Sequence, residues 1–145
     1  MNLFRDIPQE QIETVLRNIR NNLQEVSMYD GHAVWRHVDI QPGILKNRLE
    51  AEEVKFATSF YDMEMARIVT VGLMRISYES QIKLWLLSSA SDILLLQGKS
   101  RAGIGYGYQK GDGRLHENLR QVRVVLKKEE SRDWGFRILT SYPAF

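Results

Sequence analysis

Val122-Arg123-Val124-Val125-Leu126-Lys127-Lys128 and, a few residues on, Phe136-Arg137-Ile138-Leu139-Thr140-Ser141-Tyr142-Pro143 decide the class of this fold. In the first stretch Val122, Val124 and Leu126 alternate with Arg123, Val125 and Lys127, as a strand with one buried face requires. Residues 128–135 are polar and turn-like, so the second stretch forms a last strand. Strict alternation puts Phe136, Ile138, Thr140 and Tyr142 on one side of it and Arg137, Leu139 and Ser141 on the other. Two readings of the first set stand open. Either it is core that Thr140 and Tyr142 merely finish, or it presents a hydroxyl and a phenol to a ligand.

Upstream, Gly103-Ile104-Gly105-Tyr106-Gly107-Tyr108 alternates small and bulky residues, and Ile93 to Gln97 is a short apolar run. Before Ser91 the period changes from two to that of a helix. Asp62 suits the N-cap of a long helix with Ala66, Val69, Leu73, Ile76, Ile82, Trp85 and Leu86 on its buried side, divided at Gly72 or at Ser77–Ser80. A helix is expected over Ile44–Val54, and a shorter one over Ala33–Asp39 that breaks at Gln41-Pro42-Gly43. From Pro8, the residues Ile12, Val15, Leu16, Ile19, Leu23 and Val26 follow the spacing of an amphipathic helix that ends at Asp30-Gly31. Helices followed by antiparallel strands predict an α+β domain, with N-terminal helices packed on a C-terminal antiparallel sheet.

The chain has 145 residues, 43% hydrophobic and 26% charged, enough for one domain with its own core. A net charge of +2 is too small to imply nucleic-acid binding by bulk electrostatics, and a pI near 8.9 leans that way only weakly. There is no cysteine, so disulfides and thiol chemistry are excluded and packing alone must hold the fold. The N-terminus carries no apolar stretch of a secretory signal, and no run approaches the ~20 apolar residues of a membrane span. The expectation is a soluble chain that something else must export if it acts outside its own cell.

Familiar motifs fail on their spacing. Gly98-Lys99-Ser100 resembles the end of a phosphate-binding loop, but Ile93 stands where that loop needs its first glycine. Gly103, Gly105 and Gly107 miss the dinucleotide fingerprint, because Tyr108 holds the last glycine's place. A closely packed sheet segment or a mobile edge suits them better. His116-Glu117 opens like a zinc-protease helix, but Arg120 replaces the second histidine. Three histidines and no cysteine argue against a structural zinc site.

What remains is His37 and Arg48 with the hydroxyls of Thr140 and Tyr142. An imidazole, a fixed cation and two hydrogen-bonding hydroxyls suit phosphodiester cleavage without a metal. On one straight helix the eleven residues between His37 and Arg48 would separate them by ~16 Å, too far to touch one phosphate. The Pro42-Gly43 break allows a turn that brings them together. Taken singly, His37 reads equally as a packed or surface histidine, and Arg48, with Lys46 and Arg36, as part of a solvated face.

The order of several segments carries a resemblance. Gly31-His32 through Arg36-His37-Val38, Leu45 and Arg48-Leu49 are followed by Ala57-Thr58-Ser59-Phe60, Asp62, Ala66 and Ile82-x-x-Trp85-Leu86. The two stretches quoted first close the series. Together they resemble the bacterial RNase A-like toxin domain at the C-termini of contact-dependent growth inhibition proteins (CdiA) and related polymorphic toxins. The resemblance covers residues 31–145 and leaves 1–30 as an N-terminal amphipathic helix outside it.

The resemblance implies a two-lobed fold similar to pancreatic-type ribonuclease, without disulfides, and a cleft built from His37, Arg48, Thr140 and Tyr142 as catalytic residues. It implies a metal-independent endoribonuclease needing no cofactor, which attacks phosphorus with the RNA 2′-hydroxyl and leaves a 2′,3′-cyclic phosphate. Transfer RNA is its first candidate substrate and a cognate immunity protein its partner. It would act in the cytoplasm of a target cell after delivery by a larger toxin. The other function class compatible with the same fold is a catalytically silent RNA-binding or protein-interaction module. Pancreatic-type enzymes use two histidines, and His116 or His32 are the candidates for a second. Two departures stand out: Asp39 replaces the small glycine that often follows the His-Val pair, where a carboxylate would tune His37 or alter substrate choice, and Gly103–Tyr108 matches less clearly.

Overall fold

The computed structural model describes residues 37–129 and 136–145. The helix expected from Pro8 to Asp30 and most of the one expected over Ala33–Asp39 lie outside them. His37 still has helical backbone, and from Val38 the chain leaves the helix.

The first complete helix, α1 (Pro42–Ala51), is shorter than the Ile44–Val54 expected and starts two residues earlier. Pro42 presets its first turn, where the missing N–H is no loss. Only Leu45 and Leu49, one turn apart, are buried. The strand β1 (Phe56–Phe60) corrects the expectation of a purely helical first half. Ala57, Thr58, Ser59 and Phe60 are all buried, so β1 shows no alternation for a sequence pattern to reveal.

Helix α2 (Met63–Ser77) begins as expected at Asp62, whose carboxylate accepts the Met65 N–H at 2.7 Å. Its buried stripe runs through Ala66, Thr70, Leu73 and Ser77, which leaves Ile76, expected inside, 81% exposed. Gly72 does not interrupt the helix. The division falls in the Ser77–Ser80 region, as a π-helical turn (Tyr78–Ile82) leading into α3 (Lys83–Leu87). The extra residue of a π turn rotates the stripe, so that Ile82, Trp85 and Leu86 continue the core.

The remaining strands are β2 (Ile93–Lys99), β3 (Gly105–Gln109), β4 (Asp112–Leu119), β5 (Gln121–Lys128) and β6 (Phe136–Ala144). They form two three-stranded antiparallel sheets, β1-β3-β4 and β2-β5-β6, rather than the single sheet expected. The larger core lies between β2-β5-β6 and the α2–α3 segment, with Leu96, Val124, Leu126, Phe136 and Ile138 facing Met74, Ile82 and Leu86. A smaller cluster seats Leu45 and Leu49 of α1 on Ala57, Tyr106 and Tyr108. The result is an α+β fold of two lobes.

The lobes meet where β1 crosses β6. The Thr58 hydroxyl donates to the Pro143 carbonyl at 2.6 Å. A Cβ on Gly105 would stand 2.1 Å from the Ser59 carbonyl oxygen and 2.6 Å from Pro143 Cγ. Only glycine lets β1, β3 and β6 close here, so the Gly103–Tyr108 series is a close-packing device.

One irregularity corrects the strict alternation expected of the last strand. Val125 pairs with Thr140 but Leu126 pairs with Ile138, so Leu139 is an extra residue in β6. Phe136 and Ile138 point into the core, and after the bulge Ser141 does so, its hydroxyl 2.7 Å from that of Thr70 on α2. Thr140 and Tyr142 are thereby turned to the opposite face.

Candidate active site

A cleft of about 370 Å³ opens between the lobes, and His37, Arg48, Thr140 and Tyr142 all line it. Each reaches it for a separate local reason.

His37 is held by the residues that follow it. Val38 bridges Phe60 in parallel, the Asp39 N–H donates to the Phe60 carbonyl at 3.0 Å, and the Ile40 N–H to Ser59 Oγ at 3.0 Å. The Tyr106 hydroxyl donates to the Ile40 carbonyl at 2.6 Å. This stitching lays His37 beside β1, with Nδ1 3.5 Å from the Thr58 carbonyl. A carbonyl only accepts, so the contact selects the Nδ1–H tautomer and makes Nε2 the basic nitrogen. The imidazole ring centroid is 5.5 Å from that of Tyr142.

Arg48 is placed by its neighbours on α1. Burial of Leu45 and Leu49 sets the rotation of the helix, and Arg48 then faces the cleft with Glu52, one turn on. The 16 Å separation of a straight helix does not arise, because residues 38–40 leave the helix and are tied to β1 before Pro42 starts α1.

Thr140 and Tyr142 arrive through the bulge at Leu139, opposite Val125 and Arg123 on β5. Thr140 Oγ1 is buried with no hydrogen-bond partner among the described residues, and the same holds for Arg123 Nε. The Arg123 guanidinium carbon lies 5.6 Å from the centre of the Phe56 ring. Arg123, Lys55 and Phe56 line the cleft and were not singled out from sequence. Arg123 was disguised as the ordinary polar residue of an alternating strand. Its signal was a cation on the same side of β5 as the hydroxyls of the neighbouring strand.

Arg48, Lys55 and Arg123 face one carboxylate, Glu52, across the lining. The cleft thus concentrates positive charge that the whole chain hardly shows, as an anion site requires.

Other candidates lie elsewhere. His116 does not line the cleft. It is 2.6 Å from Asp112 and stacks edge-on against Phe145 at 5.2 Å. That hydrogen bond, more than the Arg114 N–H that Asp112 also accepts, holds the Asp112 carboxyl below its ordinary 3.8. His32 is outside the described residues. Asp39 is exposed and off the cleft, and its φ of 50° is a left-handed backbone that suits glycine and is tolerated by aspartate. Among the described residues no His, Asp and Glu cluster has the makings of a metal site, and no helix is long and apolar enough to cross a membrane.

Comparison with known proteins completes the picture. No curated protein sequence matches the chain. A solved CdiA-CT/CdiI complex from Y. kristensenii 33638 contains a chain that is 27% identical and superposes with a TM-score of 0.71, covering 76% of this chain and 96% of its own. The model of the bacterial CdiA-CT RNase A domain matches residues 31–143, which include both lobes and every cleft residue named above. The chain therefore belongs to the bacterial CdiA-CT RNase A domain family, a family of ribonuclease toxin domains.

Proposed function

We propose that the cleft is an endoribonuclease active site that cleaves RNA without a metal ion. The observation that carries this reading is the convergence of His37, Arg48, Thr140 and Tyr142 on one positively lined cleft. In this mechanism His37 Nε2 takes the proton of an RNA 2′-hydroxyl as that oxygen attacks the adjacent phosphorus. The bond from phosphorus to the 5′-oxygen breaks, and the departing oxygen takes a proton from water. The products are a 2′,3′-cyclic phosphate and a free 5′-hydroxyl. Arg48 and the Thr140 hydroxyl stabilise the charge that builds on the non-bridging oxygens, and Tyr142 positions the phosphate against His37. His116 takes no part, being off the cleft.

The substrate we would test first is transfer RNA. By likeness to the CdiA-CT/CdiI complex, the domain is held inactive by a cognate immunity protein and acts in the cytoplasm of a target cell after delivery by a larger toxin. The deciding experiment incubates the purified protein with total RNA in EDTA and characterises the product ends. Cyclic phosphate ends are expected. Intact RNA, or cleavage only when magnesium is added, overturns the mechanism.

A further inference from the structure

We infer that Arg123 is a phosphate-binding residue of the cleft, its Nε–H and the Thr140 hydroxyl holding one non-bridging oxygen of the RNA backbone between them. The inference rests on the ribonuclease reading for the identity of the ligand, and on geometry for the site.

Buried polar atoms are nearly always hydrogen-bonded, so the exceptions need an explanation. The two buried side-chain atoms without a partner among the described residues are Arg123 Nε and Thr140 Oγ1, and both belong to residues lining the same cleft. They stand on adjacent strands. Arg123 pairs with Tyr142 and Val125 with Thr140, which makes Arg123 and Thr140 diagonal neighbours on one sheet face. Diagonal Cβ atoms lie about 7–8 Å apart, room for one oxyanion that a long arginine stem and a short threonine both reach.

The guanidinium is also prepared for such a ligand. It lies over the Phe56 ring, and a guanidinium held by its face keeps its N–H edge for acceptors. Arg123 makes no ion pair among the described residues. A phosphodiester oxygen supplies what both orphaned groups lack, an acceptor for the arginine and a partner for the hydroxyl. Arg48 enters from α1 in one lobe and Arg123 from β5 in the other, so a bound phosphate would be gripped by both lobes.

The test follows the Nε–H signals of the arginine side chains by NMR in the full chain during a titration with inorganic phosphate. A saturable shift of the Arg123 signal is expected. Arg123→Gln should weaken phosphate about 10-fold or more, as loss of a hydrogen bond to a charged group does, and Arg123→Lys should recover part of it. RNA cleavage by Arg123→Gln should show a raised KM and kcat/KM lower by about 10–100-fold. A purely structural Arg123 would lower the unfolding temperature and leave phosphate affinity unchanged, which overturns the inference. Phosphate binding that moves other cleft signals and not Arg123, or no signal moving at all, overturns it too. If phosphate shifts Arg123 while RNA stays intact in EDTA, the anion site stands and the ribonuclease reading falls.

Discussion

The Thr58 hydroxyl and the Pro143 carbonyl, 2.6 Å apart and buried, join the middle of β1 to the end of β6. Each of these strands belongs to a different sheet, and each carries cleft residues just before the bond, Phe56 and Ala57 on β1 and Thr140 and Tyr142 on β6. Thr58→Val keeps the shape and removes the donor, leaving a buried carbonyl without its partner. Stability should fall by about 1–3 kcal/mol in urea unfolding. Because the bond sets the spacing of the two walls, RNA cleavage should fall even at temperatures where the variant is fully folded.

His37→Ala should reduce RNA cleavage by about 10²–10⁴-fold, the usual worth of a positioned base. His37 is only partly buried, so the denaturation midpoint should move far less than the activity. Expression without an immunity protein then separates enzyme from binding module, since a module would stay toxic in this variant.

Two glycines should respond in opposite directions. Gly105→Ala drives a Cβ to 2.1 Å from a backbone oxygen, where nothing flexible can yield. Its cost should reach about 1–3 kcal/mol or more, measured by thermal unfolding. Gly72 has nothing within 4 Å of its would-be Cβ and sits inside α2. Gly72→Ala should therefore gain about 0.5–1 kcal/mol from helix propensity alone.

Acid should loosen the Asp112–His116 contact in a defined window. The folded-state pKa of Asp112 lies below the ordinary 3.8, chiefly through the His116 hydrogen bond. The contact therefore adds stability above that value and loses it as pH falls through and below it. The pair is partly open to solvent, so the effect should be small. Wild type should unfold slightly later than Asp112→Asn at about pH 6, and the difference should shrink as pH is lowered below 3.8.

Legibility followed how each residue's environment shows in its neighbours. The Asp62 cap and the Val122-Arg123-Val124 alternation were readable because capping and half-burial leave local patterns. β1 was not, since a strand buried throughout and built from Ala57, Thr58 and Ser59 has neither alternation nor bulk. The approach of Arg48 to His37 depends on three non-helical residues held by β1 and β3, long-range bonds that no local window contains. The bulge left no trace because Ile138 and Thr140 keep the even spacing of an ordinary strand face.

That bulge makes β6 a matter of counting as much as of chemistry. Deleting Leu139 would leave Ile138 and Thr140 adjacent, and plain alternation would then keep Phe136 and Ile138 inward with Thr140 and Tyr142 on the cleft face. We expect both the deletion and Leu139→Ala to keep the fold, read by circular dichroism, with the deletion losing only the local twist that a bulge adds. In descendants of this chain Leu139 can consequently be lost without any other residue of the strand changing sides.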